Sequence, residues 1–493
     1  MFRKTLIIML AAEAISLLSF GFNFLSLPLL ILVFAAALVI SLKRLEWGVY
    51  ILFGELFFGS RGHLLEYGFL SLRLVIFAAV FLAWVIKEIE KSKIKNQNDN
   101  SKFKILGQLS WSYWALLLII ILNVLQGYLK KNGLSNVFFD ANGYLYLAVL
   151  PAVLAGIKTR GQVSNLFQIL GAAIIVIALK TLTLFIWFTY GITGVATLYH
   201  WVIRQDIGEI TGNVGSASRI FMQSQFWALV GFFIFLFSHS PLSSPVKEEE
   251  IKKELPLPSW ERVGARGWFA VASAIFSVIM SLSRSFWLGG VAGAIFFAGI
   301  WLFHVKGRLG RLGKLGGVIL LIAAVEIGGI YLLSFGSRGI SESVSSRGIN
   351  PASEAAGGAR LLLLPILLDR IIEAPAVGYG FGKTVSYDSF LPDRVKPENP
   401  AGTITSYAFE WGYLDTALKV GFLGLLVYLI FIARIFRIGI QNVKFKMQNL
   451  GILSGLVALT VLNVTTPYLN HPLGIGYLIL ALASFEVFNS ESL

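Results

Sequence analysis

Apolar runs about 20 residues long, the length a helix needs to cross the hydrocarbon core of a bilayer, recur along nearly the whole chain. Charged residues make up only 14% of the 493 positions, against about 25% in a typical soluble domain, and the mean hydropathy is +0.74. Those values set soluble globular folds aside. The expected architecture is all-α: a polytopic membrane bundle of about 12–14 transmembrane helices, with 14 the first count.

Hydropathy divides the chain as follows. Thr5–Phe20 and Phe24–Ser41 make a hairpin closed by Lys43 and Arg44, and Trp47–Gly59 with Leu70–Ile86 make the next. Leu109–Tyr128, Tyr144–Ile157, Leu166–Tyr190 and Phe221–Phe237 continue the series. Trp268–Leu282 and Phe286–Phe303 form a tight hairpin, and Gly317–Phe335 leads into a long non-apolar stretch, Gly336 to Trp411. Tyr413–Ile435, Ile452–Val464 and Pro472–Phe488 finish the chain. The expected organisation is an N-terminal membrane region (1–217), a second membrane region (218–335) with a polar, Pro-containing cytoplasmic linker near 239–267, a large loop (336–411) and a C-terminal membrane region (412–493).

The net charge of +14 does not point to nucleic acid, because the basic residues sit mostly in short clusters between apolar runs. That is the pattern of loops retained on the cytoplasmic side. With those loops inside the cell, both termini are cytoplasmic and 336–411 is outside, as expected for a cytoplasmic (inner) membrane protein. The opening MFRKTLIIMLAAEAISLLSF resembles a signal peptide, but a second apolar run follows at once, so it reads as an uncleaved first helix. There is no cysteine, which excludes disulfides and thiolate chemistry, and the five histidines lack metal-ligand spacing. No phosphate-binding glycine loop occurs. No metal, cofactor or nucleotide-sugar donor is therefore expected.

Several polar residues fall inside apolar runs. Glu326, in LLIAAVEIGGIYLL, would cost about 2.5–3.5 kcal/mol as an isolated charge at mid-span. It reads as hydrogen-bonded between helices, with Lys180 a candidate partner; Glu13 and Glu55 are similarly placed. His471, in the last turn, reads as a helix cap.

A loop as long as 336–411 in a compact membrane domain is usually functional. It contains RLLLLPILLDRIIE, an amphipathic segment that Pro365 should kink. The following PAVGYGFG, with Gly378, Gly380 and Gly382, reads as a tight, flexible turn.

Four segments, in order, carry a resemblance to the O-antigen ligase and polymerase family. SLSRSFWLGGVAGAIFFAG is similar to the family's Ser-Arg motif at the outer end of a hairpin, and Arg360 to Gly382 resembles its Arg-headed helix followed by Gly-x-Gly-x-Gly. EWGYLDTALKVGFLGLLVYL looks like the segment by which the family's long loop returns into the membrane, and LNHPLGIGYLILALA like its closing helix.

The resemblance implies a metal-independent glycosyltransferase. Such enzymes move a glycan from a polyprenyl-diphosphate carrier to a glycan or lipid acceptor at the outer face of the bilayer. The chemistry suits the residues. A diphosphate leaving group at the lipid–water boundary calls for arginines, which stay protonated and bind phosphate oxygens with a planar fork. The candidates are Arg284 and Arg360, in motif-like context, and Arg219, in GSASRIFMQSQF, at the outer end of a span. The plain alternative for each is snorkelling to lipid headgroups or facing water. Family ligases carry a histidine where the loop returns into the membrane; the equivalent residue here is Glu410, followed by Trp411. Glu410 is therefore the candidate catalytic base, with a solvated loop acid as its plain alternative. The missing histidine favours a polymerase of O-antigen-like repeats over a ligase acting on lipid A-core or protein. A lipid-linked oligosaccharide flippase would be expected to show two similar halves, and no such repeat is visible in the sequence.

Overall fold

The computed structural model describes residues 1–93, 104–212, 218–238, 264–304, 308–334, 355–388, 399–400, 402–441 and 448–490. Seventeen α-helices occur among them: α1 (Phe2–Gly21), α2 (Ser26–Lys43), α3 (Leu45–Phe58), α4 (Leu72–Lys93), α5 (Lys104–Leu129), α6 (Leu134–Leu145), α7 (Leu150–Gly156), α8 (Arg160–Tyr190) and α9 (Val195–Arg204) in the first half. The second half holds α10 (Gln225–Ser238), α11 (Gly264–Ser281), α12 (Arg284–His304), α13 (Arg308–Leu333), α14 (Ala355–Glu373), α15 (Gly412–Gln441), α16 (Gln448–Leu462) and α17 (Pro472–Ser490). Three antiparallel hairpins decorate the loops: β1 (Glu66–Tyr67) with β2 (Leu70–Ser71), β3 (Gly208–Thr211) with β4 (Arg219–Met222), and β5 (Val385–Asp388) with β6 (Thr403–Ser406).

By length and composition, eight helical units can cross a membrane: α1, α2, α5, the consecutive α6–α7 unit, α8, α12, α13 and α15. The remaining apolar segments expected from the sequence are also helical over most of their length, Leu70–Ile86 and Phe221–Phe237 each beginning in a short strand, but α10, α11, α16 and α17 are apolar over only 10–17 residues. The structure thus supports eight spans by these criteria where hydropathy segmentation counted about 14.

Helix α8 shows why the bundle assembles as it does. Thr159 and Gln162 form a capping box at its start, and Gly191, in the left-handed region (φ 59), ends it. At about 1.5 Å per residue its 31 residues exceed the roughly 30 Å hydrocarbon core. Its most apolar window is 78% buried, whereas that of α13 is 11% buried, so α8 is central and α13 peripheral. Helix α17 is apolar all round and correspondingly enclosed: Glu486 alone among Pro472–Phe488 is not buried. It touches α3, α6, α7, α8, α15 and α16.

Ion pairs lie inside the bundle, where burial favours pairing, whereas Glu326 Oε2 is buried without a hydrogen-bond partner among the described residues. Lys180 pairs with Glu13, and Arg73 with Glu55. The expected Lys180–Glu326 pair is therefore corrected: Lys180 lies on α8 against α1, whereas Glu326 lies on the peripheral α13.

Helix α15 is broken at Gly421 (φ 70, ψ 177), and the long loop mends it. The break forfeits the bonds that the amides of Phe422 and Leu423 would make to the carbonyls of Leu418 and Lys419. Instead, those amides donate to the carbonyls of Pro375 (2.7 Å) and Ala376 (3.2 Å), while the Leu418 and Lys419 carbonyls accept from the amides of Tyr379 and Gly380, both at 2.9 Å. Every group is satisfied by exchange with the loop. Gly378, Gly380 and Gly382 all have positive φ (67, 80 and 77), and a Cβ on any of them would run into neighbouring backbone. The segment expected to be a flexible turn is instead a fixed strap. It is held further by Asn132 Nδ2, which donates to the carbonyls of Tyr379 (3.2 Å) and Phe381 (2.9 Å), and by the Gly382 amide, which donates to Asp140 (2.8 Å). Pro365, expected to kink its segment, lies inside helix α14. The linker expected at 239–267 lies outside the described residues as far as 263, as do 335–354, 389–398 and 401 of the long loop.

Candidate active site

The turn after α3, the β3–β4 hairpin, the α11–α12 turn, α14, the return of the long loop into α15 and the α16–α17 turn converge on two adjoining cavities. The first, about 320 Å³, is lined by Arg61, Arg219, Arg284 and Arg360 together with Glu209 and Glu410. All four residues singled out from the sequence thus meet around one space.

Local structure explains how each arrives there. Leu282 is held in the left-handed region (φ 45), a conformation that costs an L-residue about 1–2 kcal/mol. It reverses the chain so that Arg284 opens α12 at the cavity wall. Ser283 and Ser285 line the same wall, so the first turn of α12 adds the partial positive charge of a helix N-terminus. Ser285 is pinned from the other side by Thr465 (Oγ to Oγ1, 2.8 Å) and Thr466 (3.0 Å).

Arg219 begins β4, and its Nε donates to the Ser281 carbonyl (2.7 Å) at the end of α11. Its guanidinium carbon lies 4.8 Å from the centre of the Phe221 ring. Arg360 reaches the cavity from α14 and forms an ion pair with Glu410. Trp411 Nε1 clasps the same stretch by donating to the Arg360 carbonyl (3.0 Å). Arg61 is a fourth cation that the sequence reading missed; it pairs loosely with Asp206 (3.2 Å) across an exposed contact. Four arginines against two glutamates leave the cavity basic, and an anion is the ligand such a field favours.

The second cavity, about 390 Å³, shares Arg61, Gln223, Ala408, Phe409, Thr466 and Pro467 with the first. Three cations, Arg61, Arg73 and Lys419, are set against the three carboxylates of Glu55, Asp140 and Asp415. Arg73 forks onto Glu55, with Nε to Oε2 at 2.9 Å and Nη2 to Oε1 at 3.0 Å, and also donates to the Ser60 carbonyl (2.7 Å). Lys419 sits between Asp140 and Asp415, donating to Asp415 Oδ2 at 2.8 Å, and Asn470 Nδ2 donates to that same oxygen, also at 2.8 Å. His471 caps α17 by accepting from the Leu473 amide (3.3 Å), in line with its expected role, and it also faces this cavity. Loss of solvation, reinforced by Arg73, Arg61 and His63 nearby, holds its imidazole well below the ordinary histidine range, so the ring is neutral at pH 7. Burial pushes the Tyr407 phenol up.

Residues 269–429 match the family described as O-antigen ligase. The match covers 161 of the 493 residues, and over that segment the chain is similar to the family. Together with the eight helical units long and apolar enough to cross a bilayer, the match points to a multi-pass membrane protein. Comparison with curated proteins gives no match. The matched O-antigen ligase segment includes Arg284, Arg360, Glu410, Asp415 and Lys419. Arg219, Arg61, Arg73, Asp140, Asn470 and His471 complete the walls from outside it. Among the described residues, no group of three or more His, Asp or Glu side chains could hold a metal ion.

Proposed function

We propose that the protein polymerises surface-polysaccharide repeats at the outer face of the cytoplasmic membrane. It takes a glycan from a polyprenyl-diphosphate carrier and moves it onto a hydroxyl of an acceptor glycan. In this reading both termini are cytoplasmic, and the long loop lies outside. The observation that carries it is the gathering of Arg219, Arg284 and Arg360, with Glu410, around one basic cavity.

The diphosphate occupies that cavity. Arg284 and Arg360 bind its oxygens through their guanidinium forks, while Arg219 and the first turn of α12 add positive charge. As the acceptor oxygen attacks the anomeric carbon, the bond from that carbon to the phosphate oxygen breaks and the electron pair leaves with the diphosphate. The arginines stabilise the charge that develops there. Glu410 takes the acceptor proton. Glu410 is paired with Arg360. An arriving diphosphate competes for that guanidinium and frees the carboxylate, so base and donor are readied by one event. The chemistry draws on side chains alone, without metal or nucleotide. Glu410 in place of the histidine of family ligases favours polymerisation over attachment to lipid A-core.

The deciding experiment removes the protein from its cell and analyses the carrier-linked glycans. Accumulation of single repeats is the expected result. Long chains that never reach an acceptor would mean a ligase instead, and unchanged carrier-linked pools would overturn the transferase reading.

A further inference from the structure

We propose that the second cavity is the acceptor subsite and that it selects an uncharged saccharide. The acceptor assignment rests on the transferase reading above, but the case for a neutral saccharide stands on the cavity itself. The two spaces share a wall yet differ in electrostatics. The first is lined by four arginines and two glutamates, whereas in the second Arg73, Lys419 and the shared Arg61 are three cations set against the three carboxylates of Glu55, Asp140 and Asp415. A wall of balanced ions has no net attraction for a charged ligand but presents fixed donors and acceptors to a polyol.

Among the described residues, three buried polar atoms of this wall make no hydrogen bond: Asp415 Oδ1, which lies 2.6 Å from Lys419 Nζ in an ion pair, and Arg73 Nη1 and the Tyr146 hydroxyl, on residues 5% and 4% exposed. All three residues line the cavity. Unsatisfied buried groups of this kind are rare because each carries a desolvation cost, and a side-chain turn toward the cavity would let a ligand hydroxyl satisfy Arg73 Nη1 or the Tyr146 hydroxyl. Aromatic rings complete the lining, with Phe77, Phe139 and Tyr407 among them. Flat apolar faces beside a few placed polar groups are the composition of a site for a small amphipathic ligand, and about 390 Å³ lies in the usual range for one. The position fits the reaction. With the diphosphate in the first cavity and the reacting sugar at the shared wall by Phe409 and Thr466, an acceptor in the second cavity brings its hydroxyl to that wall beside Glu410, which follows Phe409 in the chain.

The test uses the full chain in lipid nanodiscs and two probe sets. The first comprises neutral trisaccharides of gluco, galacto and manno configuration, with a hexuronate trisaccharide of equal length as the anionic control; the second is polyprenyl diphosphate. At least one neutral trisaccharide should bind, and more tightly than the hexuronate. Tyr146→Phe and Phe139→Ala should each weaken it by about threefold to tenfold. Polyprenyl-diphosphate affinity should stay within about twofold in both variants, which also reports that they are folded. Arg284→Ala should show the reverse pattern. The proposal is overturned if no neutral trisaccharide binds the wild-type chain, if the hexuronate binds more tightly, or if both cavity variants bind saccharide as the wild type does. Saccharide binding without polyprenyl-diphosphate binding would uphold a saccharide site here and sink the donor reading. Diphosphate binding without saccharide binding would do the opposite.

Discussion

Arg360 and Glu410, fifty residues apart in sequence, form an ion pair that ties helix α14 to the point where the long loop returns into α15. The pair is half open to solvent, with the Glu410 side chain 53% exposed, so as a static contact it contributes little stability. Its interest lies in what an arriving anion does to it. Replacing Glu410 by Gln should leave polyprenyl-diphosphate affinity unchanged or slightly improved, because Arg360 is released. Turnover should fall by about 10²–10⁴-fold if Glu410 takes the proton. A variant within about tenfold of wild-type turnover removes Glu410 from the base role.

Arg284→Lys should not rescue the clamp. An ammonium keeps the charge but loses the planar fork, and the lost charge-assisted bonds should cost about 10- to 100-fold in transfer rate. The check is chain extension on the purified donor, with thermal unfolding showing that the variant is folded. Full activity of Arg284→Lys would falsify the diphosphate clamp.

Gly380→Ala should destabilise the protein although Gly380 lines neither cavity. A Cβ there would stand 2.8 Å from Gly127 Cα and 3.0 Å from the Asn123 carbonyl oxygen, at a φ of 80°. The strain of a non-glycine residue in that region is about 1–3 kcal/mol before any displacement of α5 is counted. The strap that mends α15 should then loosen, seen as a lower unfolding temperature in detergent and faster amide exchange at Phe422 and Leu423. A neutral outcome would mean that the strap is dispensable.

Stability should fall as the pH drops below about 6.5, and His471 should account for part of the fall. Its folded-state affinity for a proton is depressed, so above the unfolded value both states hold it neutral and it contributes no slope. Below that value the unfolded chain binds a proton that the folded chain refuses, and stability is lost at up to about 1.4 kcal/mol per pH unit until the folded value is reached. Unfolding temperatures measured between pH 7.5 and 5.5 should therefore decline less steeply in His471→Gln than in the wild type. Parallel slopes would show that His471 is not the titrating group.

Much of the lining of the candidate site could be read directly from the chain. Arg284 and Arg360 stand in ordered motifs, Arg219 at the end of an apolar run, and Glu410 at the return of the loop. Position relative to the membrane is a one-dimensional property, because apolar length alone sets where a helix ends. Arg61 and Arg73 could not be found this way. Nothing near them in sequence marks them as more than loop or helix-end cations, and each lies outside the segments that carry the family resemblance. Asp140 and Lys419 are 279 residues apart, so neither gives any local sign that it is matched. Lys180 is the instructive error: among several mid-span carboxylates, sequence offers no ground for choosing Glu13 over Glu326.

The amino-acid order by itself determined that this chain lives in a bilayer, that it is helical, and that a few arginines and one glutamate stand at helix ends beside a long loop. These follow from the transfer energies of side chains and from backbone hydrogen bonding, which act residue by residue. Only the tertiary structure decided which buried charges neutralise one another, that the glycine segment is a strap bonded into a broken helix, and that the arginines share one cavity beside a second, charge-matched one. Those outcomes depend on which helices become neighbours. That choice is made by side-chain packing and pairing across hundreds of residues, where hydropathy is blind.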